Sequence, residues 1–197
     1  MKKILISLTV FNKDIRNLPI FELVNSGSIN ESIEILITDN SYKPSTIPNL
    51  IPNTHYKFSG YNAGTRQAIL NTVSFLRERD QFNYVLFLDQ DTQVDFLTDF
   101  LLEASQCYDT PMVFVPEVHD QNGDIVSPCA VNYFGGMRGC KDNYDTAILS
   151  GALIPTAFLC EIKHIPRIFW LDYLDHFLFF NYFPKPKLLS TIVEHNL

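Results

Sequence analysis

Three runs of this chain are apolar at nearly every position: Lys3 to Val10, Ser32 to Thr38 and Asn83 to Leu88. A strand with one wet face alternates apolar and polar residues, so runs without alternation belong to strands covered on both faces of a parallel sheet. Helical spacing fills the gaps between them. Asp14 to Asn25 reads as a first helix in which Pro19 sets the start or introduces a kink. Ala63 to Arg79 reads as a longer one, turning Ala68, Ile69, Thr72, Val73 and Leu76 inward and leaving Arg66, Gln67, Arg77 and Arg79 to solvent. Asp95 is placed to cap a further helix through Cys107, carrying Leu97, Phe100, Leu101 and Ala104 inward. Alternating strands and helices predict an α/β fold, with a mostly parallel central sheet flanked by helices.

After residue 110 the pattern changes to short strands with turn chemistry. Met112 to Val115 and Ile125 to Tyr133 flank a hairpin-like turn at Gln121-Asn122-Gly123-Asp124, and Phe134 to Asn143 reads as a mobile loop. This half predicts a smaller mixed or antiparallel part. With 197 residues and 46% hydrophobic content, the expectation is one domain over residues 1–197.

Fifteen basic against twenty-two acidic residues leave a net charge of -7. No polycationic surface is available for a nucleic-acid backbone, so nucleic acid is excluded as a partner. Cys107, Cys129, Cys140 and Cys160 lack zinc spacing and any Cys-x-x-Cys motif. Scattered thiols point to a reducing, cytoplasmic setting. The apolar start after Lys2-Lys3 is cut short by Asn12-Lys13-Asp14, which fits a first strand better than a signal peptide. No run is long enough to cross a bilayer, so the expectation is a soluble protein, at most peripheral at the inner face of the cell membrane.

In a parallel sheet the strand C-termini share one edge, and ligands sit in the crevice beyond it. Thr9, Asp39 and Asp89 all fall at such ends. Asp89 and Asp91 close the third run, and two carboxylates there suit a hard divalent cation that bridges phosphate oxygens, although aspartates also end strands as turn residues. Asp39-Asn40-Ser41 has the composition of an Asx-turn as well as of a ligand site. Asn62 and Gly64 precede the long helix, where they serve close backbone approach or helix capping. Arg66 follows as a solvated side chain or a phosphate contact.

Ile168 to Phe183 holds eight aromatics in sixteen residues together with Asp172, Asp175 and His176. On a helix these three share a face opposite Leu174, Phe177 and Leu178. Such a face lines a cleft or simply faces water. Trp170 is either a sugar-stacking platform or part of the core.

Taken in order, Thr9-Val10-Phe11-Asn12, Thr38-Asp39-Asn40-Ser41, Asn62-Ala63-Gly64, Leu88-Asp89-Gln90-Asp91-Thr92, Ser150-Gly151 and Trp170 to His176 resemble the GT-A-fold glycosyltransferases of family 2, particularly their rhamnosyltransferase-like members. The resemblance implies a nucleotide-diphosphate sugar and a divalent metal, Mn or Mg, in residues 1–110 and an acceptor in residues 111–197. It assigns nucleotide-sugar binding to Thr9, Asn12, Asp39, Asn62, Gly64, Asp89 and Gln90. Asp39 would accept a pyrimidine N3–H. Asp91 would bind the metal directly, with Asp89 reaching it through water or reaching the ribose, and His195 would complete the metal site in the manner of the family's late histidine. Asp175 matches the family's catalytic base. Ser150, Gly151, Trp170, Asp172 and His176 would contact the acceptor or its sugar. Phe177 and Asn181 stand where relatives carry an acidic residue and an arginine, and the chain ends at Leu197, before the C-terminal helices of many relatives.

The implied activity is metal-dependent, inverting transfer of a sugar, rhamnose among the candidates, to a glycan or lipid-linked acceptor in surface-polysaccharide assembly. A truncated or degenerate relative that binds nucleotide or a partner protein without catalysis is the alternative. A sugar nucleotidyltransferase fits less well, since Thr9 to Arg16 lacks the glycines of a triphosphate-binding loop.

Overall fold

The computed structural model describes residues 2–25, 32–45, 53–132, 136–171 and 173–194. In chain order the elements are β1 (Ile4–Val10), α1 (Pro19–Asn25), β2 (Ile33–Asp39), β3 (Thr54–Phe58), α2 (Gly64–Glu78), β4 (Tyr84–Asp89), α3 (Leu97–Ser105), β5 (Phe114–His119), β6 (Ile125–Ser127), β7 (Cys129–Val131), β8 (Met137–Gly139), β9 (Leu153–Pro155), α4 (Thr156–Cys160), α5 (Leu174–Asn181) and β10 (Lys187–Glu194). The main sheet runs β10-β5-β9-β4-β1-β2-β3, with β6 pairing β5 at its side. β3, β2, β1 and β4 are parallel, β9 lies antiparallel to both β4 and β5, and β10 is parallel to β5. The first half is thus purely parallel and the second mixed, as the change in sequence pattern anticipates.

The unbroken apolar runs have a direct packing cause. In β1, Ile4, Ile6, Leu8 and Val10 face one cluster with Leu18 and Phe21 near α1, and with Leu97 and Phe100 of α3. Leu5 faces the other cluster, with Ile69, Val73 and Leu76 of α2, Leu159 of α4, and Leu174 and Leu178 of α5. Both faces are therefore dry, and each fully buried aliphatic side chain stabilises the fold by roughly 1.5–3 kcal/mol. The strand order switches sides at β1, with β2 and β3 on one side and β4 on the other, which places a crevice beyond the C-terminal ends of β1 and β4.

Several boundaries differ from expectation. Residues 14–25 form a 3-10 turn at Ile15–Asn17 and then α1, which begins at Pro19, where a missing N–H costs nothing. Asp95 does not cap α3; the helix begins behind Phe96 without a side-chain cap. The strand expected over Met112 to Val115 instead runs from Phe114 to His119. The run from Ile125 is divided at Pro128, which has no N–H for a ladder, into β6 and β7. Part of the expected loop over 134–143 is β8, paired antiparallel to β7, while Phe134 and Gly135 lie outside the described residues. Three further strands, β3, β9 and β10, were not anticipated. β3 is an edge strand of polar and aromatic residues, and β10 alternates only weakly. Among the described residues no helix is long and apolar enough to cross a membrane.

Candidate active site

Strand register brings the predicted edge residues together. Thr9 of β1 lies opposite Thr38 of β2 on one side and Asp89 of β4 on the other, and Val10 lies opposite Asp39. Beyond this edge is a cavity of about 170 Å³ lined by Thr9, Thr65, Asp89, Ser150, Leu171 and Asp175, with Phe87, Leu88 and Leu149 behind them. It joins four predicted residues from four separate stretches of chain.

The turn after β4 is held by hydroxyls. Thr92 Oγ1 and Ser150 Oγ each accept the Asp89 N–H, at 3.2 and 3.1 Å, and lie 2.6 Å from each other. Gly151 adds its own N–H to the Phe87 carbonyl at 2.8 Å, in a left-handed conformation (φ +87°) that favours glycine. Ser150 and Gly151 therefore fix the end of β4 and, through it, the direction of Asp89. Asp91 follows on the exposed outer side of the turn.

Asp175 enters from the opposite wall, in the first turn of α5. Tyr173, with φ +57°, turns the chain sharply into that helix. The Leu149 N–H donates to Asp175 Oδ2 at 2.9 Å and fixes the carboxylate. Burial raises the Asp175 pKa most; the Leu149 bond opposes this and the like charge of Asp89 adds to it, leaving the carboxyl at about 7. His176, beside it, shares a hydrogen bond between Nδ1 and Thr146 Oγ1 at 2.9 Å, and burial lowers its pKa, which favours the neutral ring.

The helix expected over Ile168 to Phe183 exists only from Leu174 to Asn181. Pro166 and the backbone contact of Trp170 with α2 hold the preceding stretch in turns: the Trp170 carbonyl accepts the Arg66 N–H at 3.1 Å rather than a bond within a helix. Asp172 and His195 lie outside the described residues. Phe177 stacks on Phe169 with ring centroids 4.7 Å apart, and Asn181 Nδ2 donates to the Phe177 carbonyl at 2.7 Å, so both serve packing.

Other predicted residues are near the edge but bonded within the protein. Asp39 is fully buried; its Oδ1 accepts the Ser41 N–H at 2.9 Å in an Asx-turn, and its Oδ2 accepts the Tyr56 hydroxyl at 2.6 Å and the Ser45 N–H at 3.2 Å. Those donors outweigh burial and lower its pKa. Gln90 Oε1 accepts the Phe11 N–H at 2.8 Å, which ties β1 to β4. Asn12, at φ +52°, donates its N–H to Ser41 Oγ at 2.7 Å. Asn62 Oδ1 accepts the Gly64 N–H at 3.2 Å. Gly64 has φ +67°, and a Cβ there would lie 2.1 Å from the Trp170 carbonyl oxygen, so glycine is required for the chain to pass. Trp170 itself faces a separate groove with Asn62.

Thr65, Leu149, Leu171 and the bonding role of Thr92 escape sequence reasoning. Leu149 acts through its backbone N–H, and Thr65 and Leu171 enter through packing, so none carries a residue-type signal.

No family model and no curated protein matches this chain. Solved structures do. S. aureus TarS 1-349 in complex with UDP is similar with a TM-score of 0.63 and 15% identity, over 99% of this chain and 60% of that one. Another structure of S. aureus TarS gives 0.59 and 17% identity, over 100% of this chain and 37% of that one. A197 from STIV gives 0.56 and 13% identity, over 97% of this chain and 83% of that one. The fold is GT-A. At these identities the likeness is one of fold, and the chain spans 60% or less of the TarS chains.

On a GT-A sheet the donor set for a metal is judged by its chemistry. Among the described residues no group of three His, Cys, Asp or Glu side chains forms a closed metal cage. Mg²⁺ and related cations bound with phosphate use one or two carboxylates and complete their shell with phosphate oxygens and water. Asp89 and Asp91, one half-buried at the cavity and one exposed, fit that type of site.

Proposed function

We propose that this protein is an inverting glycosyltransferase that moves a sugar from a nucleotide-diphosphate donor to a hydroxyl of a glycan or lipid-linked acceptor. One observation carries the reading: Asp89 and Asp175 line the same cavity from opposite walls, and Asp175 is held with a pKa of about 7. A base needs a pKa near the working pH to accept a proton and still drive its transfer. Asp175 takes the acceptor hydroxyl proton as that oxygen bonds to the anomeric carbon, and the carbon–oxygen bond to the diphosphate breaks. Asp89 and Asp91 would hold Mn²⁺ or Mg²⁺, which when bound offsets charge on the departing diphosphate. The Thr92–Ser150 pair keeps Asp89 aimed at that place. At about 170 Å³ the cavity is below the roughly 300–1,000 Å³ of sites that enclose whole small molecules, so it suits the reacting atoms while the nucleotide extends outward.

TarS is seen in complex with UDP, which supports a uridine nucleotide as the first one to test here. Rhamnose, the sugar suggested by the sequence motifs, is the first donor sugar to test, and surface-polysaccharide assembly on the cytoplasmic side of a membrane is the proposed setting. The deciding experiment measures transfer and nucleotide binding separately. Asp175→Asn should retain metal-dependent UDP binding and lose transfer; turnover at the wild-type rate in that variant removes the base assignment.

A further inference from the structure

Across the Arg66–Trp170 backbone bond from the cavity lies an open groove of about 550 Å³, formed mainly by Tyr61, Asn62, Arg66, Gln67, Arg167 and Trp170. We propose that this groove binds an acidic saccharide, a sugar chain carrying carboxylate or phosphate groups. Its volume falls within the range of sites that hold small molecules.

The chemistry of the lining is selective. Trp170 is 45% exposed and Tyr61 59% exposed, so two aromatic faces meet solvent where the apolar C–H face of a sugar ring can stack. Among the described residues the lining contains two arginines and no acid, in a chain of net charge -7. Among the described residues no carboxylate lies within ion-pair distance of either arginine. Such a spot attracts an anion that the rest of the surface repels. Arg66 is also pre-positioned, because its Nε donates to the Ile165 carbonyl at 2.9 Å and holds the guanidinium in one place.

The two amides complete the pattern. Asn62 uses its oxygen on the Gly64 N–H, and Gln67 uses its nitrogen on Asn71 Oδ1 at 3.0 Å. These two bonds leave over the amide donor of Asn62 and the amide acceptor of Gln67, the pair that a sugar hydroxyl satisfies. A donor nucleotide fits less well, since Asp89 lines the other cavity and not this groove. On the transferase reading the saccharide is the acceptor; its binding does not depend on that reading.

Trp170 is the only tryptophan of the chain, so its fluorescence reports on the groove directly. The whole chain is titrated with hexagalacturonate, a phosphomannan oligosaccharide, neutral maltohexaose, UDP, and vesicles containing phosphatidylglycerol. A saturable change with one or both acidic sugars is expected, and the one that responds identifies carboxylate or phosphate as the anionic group. Affinity should be about tenfold weaker for maltohexaose and for Arg167→Ala, the loss of one charge-assisted contact. Arg167 is exposed and should unfold at the wild-type temperature when replaced; Tyr61→Ala provides a second, independent loss of affinity. No saturable change with either acidic sugar, or equal affinity for maltohexaose, overturns the proposal. A response confined to vesicles or to UDP also overturns it and reassigns the surface. Asp175→Asn should bind the acidic sugar as the wild type does, so failure of the groove and failure of the base assignment are read separately.

Discussion

Asp175 is where the proposed chemistry and the stability of the fold both depend on one carboxyl. Its folded pKa of about 7 stands above the ordinary value of 3.8, with burial as the main cause. As a base it works only when deprotonated, so kcat should rise with pH through about 7 and fall away below it. The stability effect has the opposite slope. Between about pH 4 and 7 the native state binds a proton that the unfolded chain lacks, so folding weakens as pH rises across that window. A shift of about three units corresponds to roughly 4 kcal/mol at most. Asp175→Asn, whose amide oxygen can still accept the Leu149 N–H, should therefore be more stable than the wild type at pH 8 and close to it at pH 4. Denaturant unfolding at both pH values checks this; equal stability at pH 8 would mean the carboxyl is not strained by burial.

At the level of elements, the site depends on how loops are pinned to strand and helix ends. The start of α2 and the stretch before α5 touch through backbone, with Gly64 facing the Trp170 carbonyl. Gly64→Ala places a methyl group into that carbonyl at a left-handed position and should destabilise the fold by about 2 kcal/mol or more, displacing Leu171 from the cavity wall. A lowered thermal midpoint together with reduced transfer is the expected result. The end of β4 depends instead on two hydroxyls. Replacing Ser150 by Ala removes one of the acceptors of the Asp89 N–H and should cost about 1 kcal/mol. Its effect on metal-dependent nucleotide binding should exceed its effect on stability, which calorimetry and chemical unfolding resolve.

For the whole molecule, the proposed metal and donor would be linked to folding by mass action. A ligand that binds only the native state raises the unfolding temperature. With UDP present, Mn²⁺ or Mg²⁺ should raise the thermal midpoint of the wild type and leave Asp91→Asn unmoved, while the two proteins unfold alike without ligand because Asp91 is exposed. Extending the screen across nucleotide sugars should single out the donor as the one giving the largest metal-dependent rise.

The three parallel strands around β1, helix α2 and the edge aspartate Asp89 were legible in the chain because burial on both faces writes an unbroken apolar run, and strand ends follow from where it stops. Asp175 was legible through its motif. Edge strand β3 was not, since a half-exposed strand of polar and aromatic residues carries no run. The true extent of α5 was hidden as well: local spacing allowed a helix from residue 168, whereas the Trp170 carbonyl bonds to α2 and Tyr173 turns left-handed before the helix begins. Sequence could name Asp39, Gln90 and Asn62 as edge residues, but not that their acceptors are taken by Tyr56, Phe11 and Gly64, because hydrogen-bond partners far apart in the chain meet only after packing. Residue type and periodicity determined the layers of this protein, and the motifs named Asp89 and Asp175, which line one cavity. Tertiary structure decided that Asp89 and Asp175 share one cavity and that burial, together with the like charge of Asp89, raises the Asp175 pKa to about 7.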